Sequence, residues 1–159
     1  MTAFYQTTPS PECMRIIREG FTPGLSQDGP GVDTRMIEML PAMVEAGAYA
    51  LYHSGNIVFA LRRHSAWVGI VDMFLGEGAT IHDATKAARK FLEWAASHTY
   101  YIKLEARSPS PAMAVLAKRV GASIEGYRVG SFIREDGTQD NEVEVGIMLK
   151  RGITCHKSH

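Results

Sequence analysis

Apolar residues recur at helical spacing along some stretches of this chain and alternate or run together along others. The change of period divides the chain into elements. Met36, Ile37, Leu40, Met43 and Val44 fall on one helical face behind Asp33, a candidate cap. Pro41 is expected to kink or split that helix, and Gly47 to end it. Ala87, Phe91, Trp94 and Ala95 form a second stripe within "DATKAARKFLEWAASH", the clearest helical pattern, with Asp83 as its expected cap. A shorter helix is predicted from Pro11 to about Glu19, capped by Ser10 and stopped at Gly20. A fourth occupies "SPSPAMAVLAKRVG", with Ser110 as cap, Pro111 at its first position and Gly121 as terminator.

Strand patterns fill the intervals. "TAFYQTT" is short and rich in β-formers. "AYALYHSGNIVFALRR" reads as a hairpin around Ser54-Gly55-Asn56. "AWVGIVDMFL" is almost wholly apolar, as a strand covered on both faces should be. "YYIKLEA" is a further strand, and "ASIEGYRVGSFIREDG" and "NEVEVGIMLKR" form a last pair about Asp136-Gly137. "TPGLSQDGPG" is loop. The order is β-α-α-β-β-β-α-β-α-β-β. Its central strand–helix–strand unit requires a parallel pairing, while the hairpins require antiparallel ones. The fold class is therefore α+β, a mixed, mainly antiparallel sheet flanked by helices.

Composition narrows the function classes. The chain has 159 residues, enough for one domain with its own core, and 17 basic against 17 acidic residues. A formal net charge of zero argues against broad nucleic-acid binding, which needs a basic field. Two cysteines far apart, Cys13 and Cys155, fit a reduced cytoplasmic setting better than a disulfide framework. No apolar run approaches the ~20 residues of a membrane span. The end of the chain offers Cys155, His156 and His159, too few ligands for a rigid metal site, and 153–159 reads as a flexible tail.

One segment carries a resemblance. "SPAMAVLAKRVGASIEGYRV" is similar to the "N-x-x-[SA]-x-x-L-[YL]-E-K-L-G-F" pattern, followed by "x-x-E-G-x-x-R", of the GNAT superfamily, the acyl-coenzyme-A-dependent N-acyltransferases. Gly121 falls on that family's glycine, Lys118 and Arg119 on its charged helix end, and Glu125-Gly126 on its "EG". The same residues also serve helix termination: Gly121 permits a left-handed reversal, and the two cations complement a helix C-terminus. The element order extends the resemblance from Ala3 to Arg151 and implies a single acyltransferase domain over 1–152. Terse loops make the chain resemble phage-encoded members, with the host cytoplasm as the location that would follow.

The resemblance implies acetyl-CoA as co-substrate and a primary amine as acceptor. The acceptor classes it permits are a small molecule, a protein amine or an amine on a modified nucleobase. It also permits a homodimer. It implies direct attack of the amine on the thioester in a ternary complex. The family's phosphate loop falls on Phe74-Leu75-Gly76-Glu77-Gly78-Ala79-Thr80-Ile81-His82. Backbone groups at Phe74 and Leu75, beside a strand bulge, would receive the thioester and the pantetheine arm. Gly76, Gly78, Ala79, Thr80 and His82 would meet the pyrophosphate, with Lys86 and Arg89 supplying charge. Glu77 brings negative charge to the same place, and Asp83 as a cap would use the same N–H groups.

For the chemistry, Asp72 inside the central strand is the candidate base, since burial raises a carboxyl pKa; pairing with an arginine or with backbone is its alternative. His64 is a second candidate, or a turn histidine. Glu12 and Glu19 can line an amine pocket or face solvent. The family's thiolate-protonating tyrosine falls on Ala117, so Tyr127 is an alternative donor, or a core residue. The family's asparagine falls on Ser110, which either bonds the cofactor arm or caps its helix. A non-catalytic protein of the same fold, acting as a binding or phage structural component, is the second reading.

Overall fold

The computed structural model describes residues 4–6, 9–21, 24–25, 32–134 and 136–149. The tail beyond 149, with Cys155, His156 and His159, lies outside them. In chain order the elements are β1 (Phe4–Gln6), α1 (Pro11–Gly20), β2 (Gly24–Leu25), α2 (Val32–Glu45), β3 (Tyr49–Ser54), β4 (Ile57–Arg63), β5 (Val68–Leu75), α3 (Ile81–His98), β6 (Lys103–Ser108), α4 (Ala112–Val120), β7 (Ser123–Arg134) and β8 (Gln139–Met148).

Local chemistry sets most of these bounds. Ser10 caps α1 by accepting the Cys13 N–H at 3.1 Å. Gly121 takes the left-handed conformation (φ 80°) that lets α4 reverse into β7. Helix α2 runs through Pro41 rather than breaking there. Leu40 and Val44, on either side of the proline, are both anchored in one buried cluster, and that packing outweighs the single main-chain bond that proline removes. The helix begins at Val32, so Asp33 lies inside it rather than capping it. The loop predicted over 22–31 contains the short strand β2, paired with the end of β7.

The strands form one sheet in the order β1-β3-β4-β5-β6-β8-β7-β2. Only the β5–β6 pairing is parallel; every other neighbouring pair is antiparallel. The α+β reading stands. Helices α1 and α2 cover one face of β3–β5, where Ile16, Ile17, Leu51 and Val58 are fully buried. Helix α3 covers the other face, with Phe91 stacked on Phe59 at 4.5 Å between centroids. Helix α4 lies on that same side and closes over Val143 and Val145 of β8.

The parallel seam is short. Val68, Gly69 and Ile70 pair with Lys103, Leu104 and Glu105, and the pairing then stops. Strand β5 continues to Leu75 and β6 to Ser108 without each other. Gly69 makes the paired part possible, because Leu61 and Leu104 close over its α-carbon where a side chain would stand.

Candidate active site

Beyond Ile70 the two central strands present edges to each other with no hydrogen-bonded neighbour between them. An unpaired strand edge is a row of main-chain donors and acceptors, able to take an extended polar chain as a further strand would be taken. The N-termini of α3 and α4 both lie at this end of the sheet, since each helix follows one of the two strands. Under the seam, on the α3–α4 face, is a small apolar groove of about 80 Å³. Val71 and Met73 of β5, Leu104 and Ala106 of β6, Ala88 of α3, and Met113 and Ala117 of α4 line it.

Asp72 is on the opposite face of β5. Its strand partner Ala60 belongs to the cluster under α1 and α2, whereas Val71 and Met73 belong to the cluster under α3. The Asp72 side chain accepts no hydrogen bond from the described residues. Burial raises its pKa, and the Arg62 guanidinium partly offsets that rise. Tyr49, paired with Arg62 across β3 and β4, is raised in turn by its own burial and by the Asp72 charge. Across the seam on the same face runs a chain of ion pairs. Lys103 reaches Glu105 at 3.0 Å and Glu125 at 2.7 Å, and Arg107 and Arg128 both meet Glu144, at 3.0 and 3.1 Å.

The loop between β5 and α3 is held by the protein's own groups. Gly76 N donates to Asn56 O at 2.8 Å, and Ala79 N to Gly76 O at 3.1 Å. Thr80, not Asp83, is the N-cap of α3, and the two form a capping box: Asp83 N donates to Thr80 Oγ1 at 3.2 Å and Thr80 N to Asp83 Oδ2 at 2.9 Å. Thr80 is favoured because it stands immediately before Ile81 and three residues before Asp83, the spacing that lets Asp83 reciprocate. Its bonds from Thr80 hold the Asp83 carboxyl below the usual carboxylate range. Glu77 N donates to Glu19 Oε2 of α1 at 2.8 Å. That bond, and Arg15 behind it, lower the Glu19 pKa.

The strand bulge expected beside Phe74 and Leu75 is absent. The β4–β5 register is unbroken from Ile57–Leu75 to Arg63–Gly69. The bulges lie in β7, between Ile124 and Gly126 and between Arg128 and Phe132.

The predicted residues divide by position. Phe74, Leu75, Gly76, Gly78, Ala79, Thr80, His82 and Lys86 cluster at the end of β5 and the start of α3. Ser110 is exposed beside the end of β6, where its Oγ accepts the Ala112 N–H at 3.3 Å. His64 is at the other end of β5, in the turn that its N–H closes on Val68 O, far from the open seam. Tyr127 pairs with Val143 and so faces the α4 side, on a strand two places beyond β6; it is 63% exposed. Neither is brought to Asp72. Tyr49, Asn56 and the Glu19–Glu77 contact escaped sequence reasoning. Only the cross-strand alignment of Tyr49 with Arg62 and of Ala60 with Asp72 could have found the first.

No protein-family model matches the sequence, and no curated protein is similar to it. Solved structures are similar in shape. A mutant of the spermidine N-acetyltransferase SpeG from Vibrio cholerae gives a TM-score of 0.70, covering 94% of this chain and 95% of that one at 11% identity. A GNAT superfamily phosphinothricin acetyltransferase from Sinorhizobium meliloti, in complex with AcCoA, gives 0.66 over 94% and 89% at 10% identity. A ribosomal-protein-S5-alanine acetyltransferase from Vibrio fischeri gives 0.60 over 86% and 88% at 12% identity.

Proposed function

The chain has the fold of the GNAT acetyltransferases, and we propose that it transfers an acetyl group from a pantetheine thioester such as acetyl-CoA to a primary amine. One observation carries this reading: the seam between β5 and β6 stops after Ile70–Glu105 and opens over an apolar groove. The facing edges suit the amides of a pantetheine arm, and the groove walls suit its methylenes and acyl group. The neighbours' substrates, spermidine, phosphinothricin and a protein alanine, support an amine as acceptor.

The residues divide the work by face. The amine comes from the α1–α2 side, where Asp72 takes a proton from its ammonium form. A carboxyl pKa raised by burial lies closer to working pH and makes a better base than an ordinary one. The freed nitrogen attacks the thioester carbonyl carbon, the C–N bond forms, and the C–S bond breaks. N–H groups on the open edge of β5 between Val71 and Leu75 stabilise the oxygen that gains charge. The thiolate takes the second proton that the nitrogen sheds as the amide forms, relayed by water at the mouth or by the Ser110 hydroxyl. His64 and Tyr127 have no part in this assignment.

A second reading, a binding protein without turnover, is favoured by Ala117. It stands buried in the groove wall where the family pattern has tyrosine, so no hydroxyl there protonates the thiolate. Two measurements decide. Acetyl-CoA should raise the melting temperature by mass action on the native state. Release of free thiol should then require an amine from a panel of polyamines, amino acids and peptide N-termini. A thermal shift without thiol release favours the binding protein; no shift at millimolar donor removes both readings.

A further inference from the structure

The loop that would have to cradle the donor's phosphates does not fit them. Five of its main-chain N–H groups, from Gly76, Glu77, Ala79, Thr80 and Asp83, are already bonded. Two of the five acceptors are carboxylates of this same chain, Glu19 and Asp83. A phosphate needs such donors and the positive end of the helix; here two carboxylates of the chain compete for them, and among the loop and first-turn N–H groups only those of Gly78, Ile81 and His82 are left without a described partner.

The Glu19 contact is built into the fold. Arg15 donates to both Glu19 oxygens at 2.8 Å, one helical turn away. Asn56 ties the same group to the loop, accepting from Arg15 at 3.4 Å and donating to Glu77 O at 2.8 Å. Nearby cations are partly committed: Arg15 is paired with Glu19, Arg89 is turned to Arg119 O at 3.0 Å, and the Lys86 charge acts on Asp83. The groove, by contrast, presents apolar walls and two open strand edges.

We propose that this chain reads its thioester donor through the pantetheine arm and not through the phosphates, and that Glu19 is the residue that sets this preference. The inference rests on the acyltransferase reading. The shared ligand chemistry is an acyl-pantetheine thioester, whether it is carried on coenzyme A or on a shorter arm.

Titration calorimetry of the intact protein with acetyl-CoA and with S-acetyl-pantetheine tests it. The two dissociation constants should agree within about threefold, because a phosphate held by two charge-assisted hydrogen bonds would separate them by roughly a hundredfold. Glu19→Ala should tighten acetyl-CoA by about tenfold, the worth of one such bond, and leave S-acetyl-pantetheine unchanged. If Glu19→Ala fails to fold, Glu19→Gln removes the charge while keeping the shape, and the ratio of the two ligands is read in the same way. A hundredfold preference for acetyl-CoA in the unaltered protein overturns the inference and leaves the acyltransferase reading standing. So does a Glu19 variant whose ligand ratio does not move. If neither thioester binds, the reading falls and the inference with it.

Discussion

Gly20, the last residue of α1, lies directly against the backbone of Leu75, the last residue of β5. A β-carbon added to Gly20 would stand 2.5 Å from Leu75 N and 2.7 Å from its carbonyl oxygen. This close approach brings the preceding residue, Glu19, onto the loop that follows β5. Gly20→Ala must push helix from strand, and overpacking of this kind costs about 1–3 kcal/mol. Urea unfolding should show a lower midpoint at unchanged slope, and an unchanged midpoint would mean that the contact is slack.

Asp72→Asn should act on rate and stability in opposite directions. Removing a positioned base lowers turnover by roughly 10²–10⁴-fold near neutral pH. The folded-state pKa of Asp72 is raised, so its charged form opposes folding once pH passes above the ordinary value of 3.8. The variant is therefore expected to be the more stable protein at pH 7, with the difference vanishing as pH falls below that value. Paired thermal melts across pH check it; equal melting temperatures at pH 7 would place the carboxylate in water.

Thr80→Ala removes the side-chain half of the capping box on α3, a loss of about 1 kcal/mol. The Asp83 pKa is depressed chiefly by its bonds from Thr80, so the Asp83 carboxylate contributes stability at neutral pH that disappears as pH falls through its lowered pKa. In the variant its titration, followed by NMR, should move up toward the ordinary carboxylate range. A titration that stays put would assign the depression to the Thr80 main-chain N–H, which alanine keeps.

Ala106→Leu tests the groove without touching charge. Ala106 is half-buried in the groove wall, and a larger side chain there extends into empty space. The thermal shift caused by a saturating thioester in the unaltered protein should shrink or vanish. Stability without ligand should fall by no more than about 1–3 kcal/mol, since Ala106 packs on Ala117, Val143 and Val145 but also borders the groove. An undiminished shift would move the donor out of this groove.

Patterns confined to a few neighbouring residues were readable before any coordinates. Gly55-Asn56 marks the β3–β4 turn, Asp136-Gly137 the β7–β8 turn, and Gly121 the end of α4. What could not be read depends on residues distant in sequence. Pro41 does not interrupt α2, because Leu40 and Val44 are buried on a sheet formed later in the chain. The cap of α3 passed from Asp83 to Thr80, a choice between two good capping residues that composition leaves open. The contact between Glu19 and Glu77 spans 58 residues and exists only because α1 ends against β5. The position of Asp72 was visible as a lone charge in an apolar strand, but its neighbours Tyr49 and Arg62 come from other strands.

The open seam has a bearing on how such a chain can change over time. A slot whose polar walls are main chain makes its contacts whatever side chains hang from it, and an apolar lining accepts many exchanges of Val, Met, Leu and Ala. Selection on such a slot guards geometry and leaves spelling free, so kinship in shape can outlast any recognisable likeness in letters.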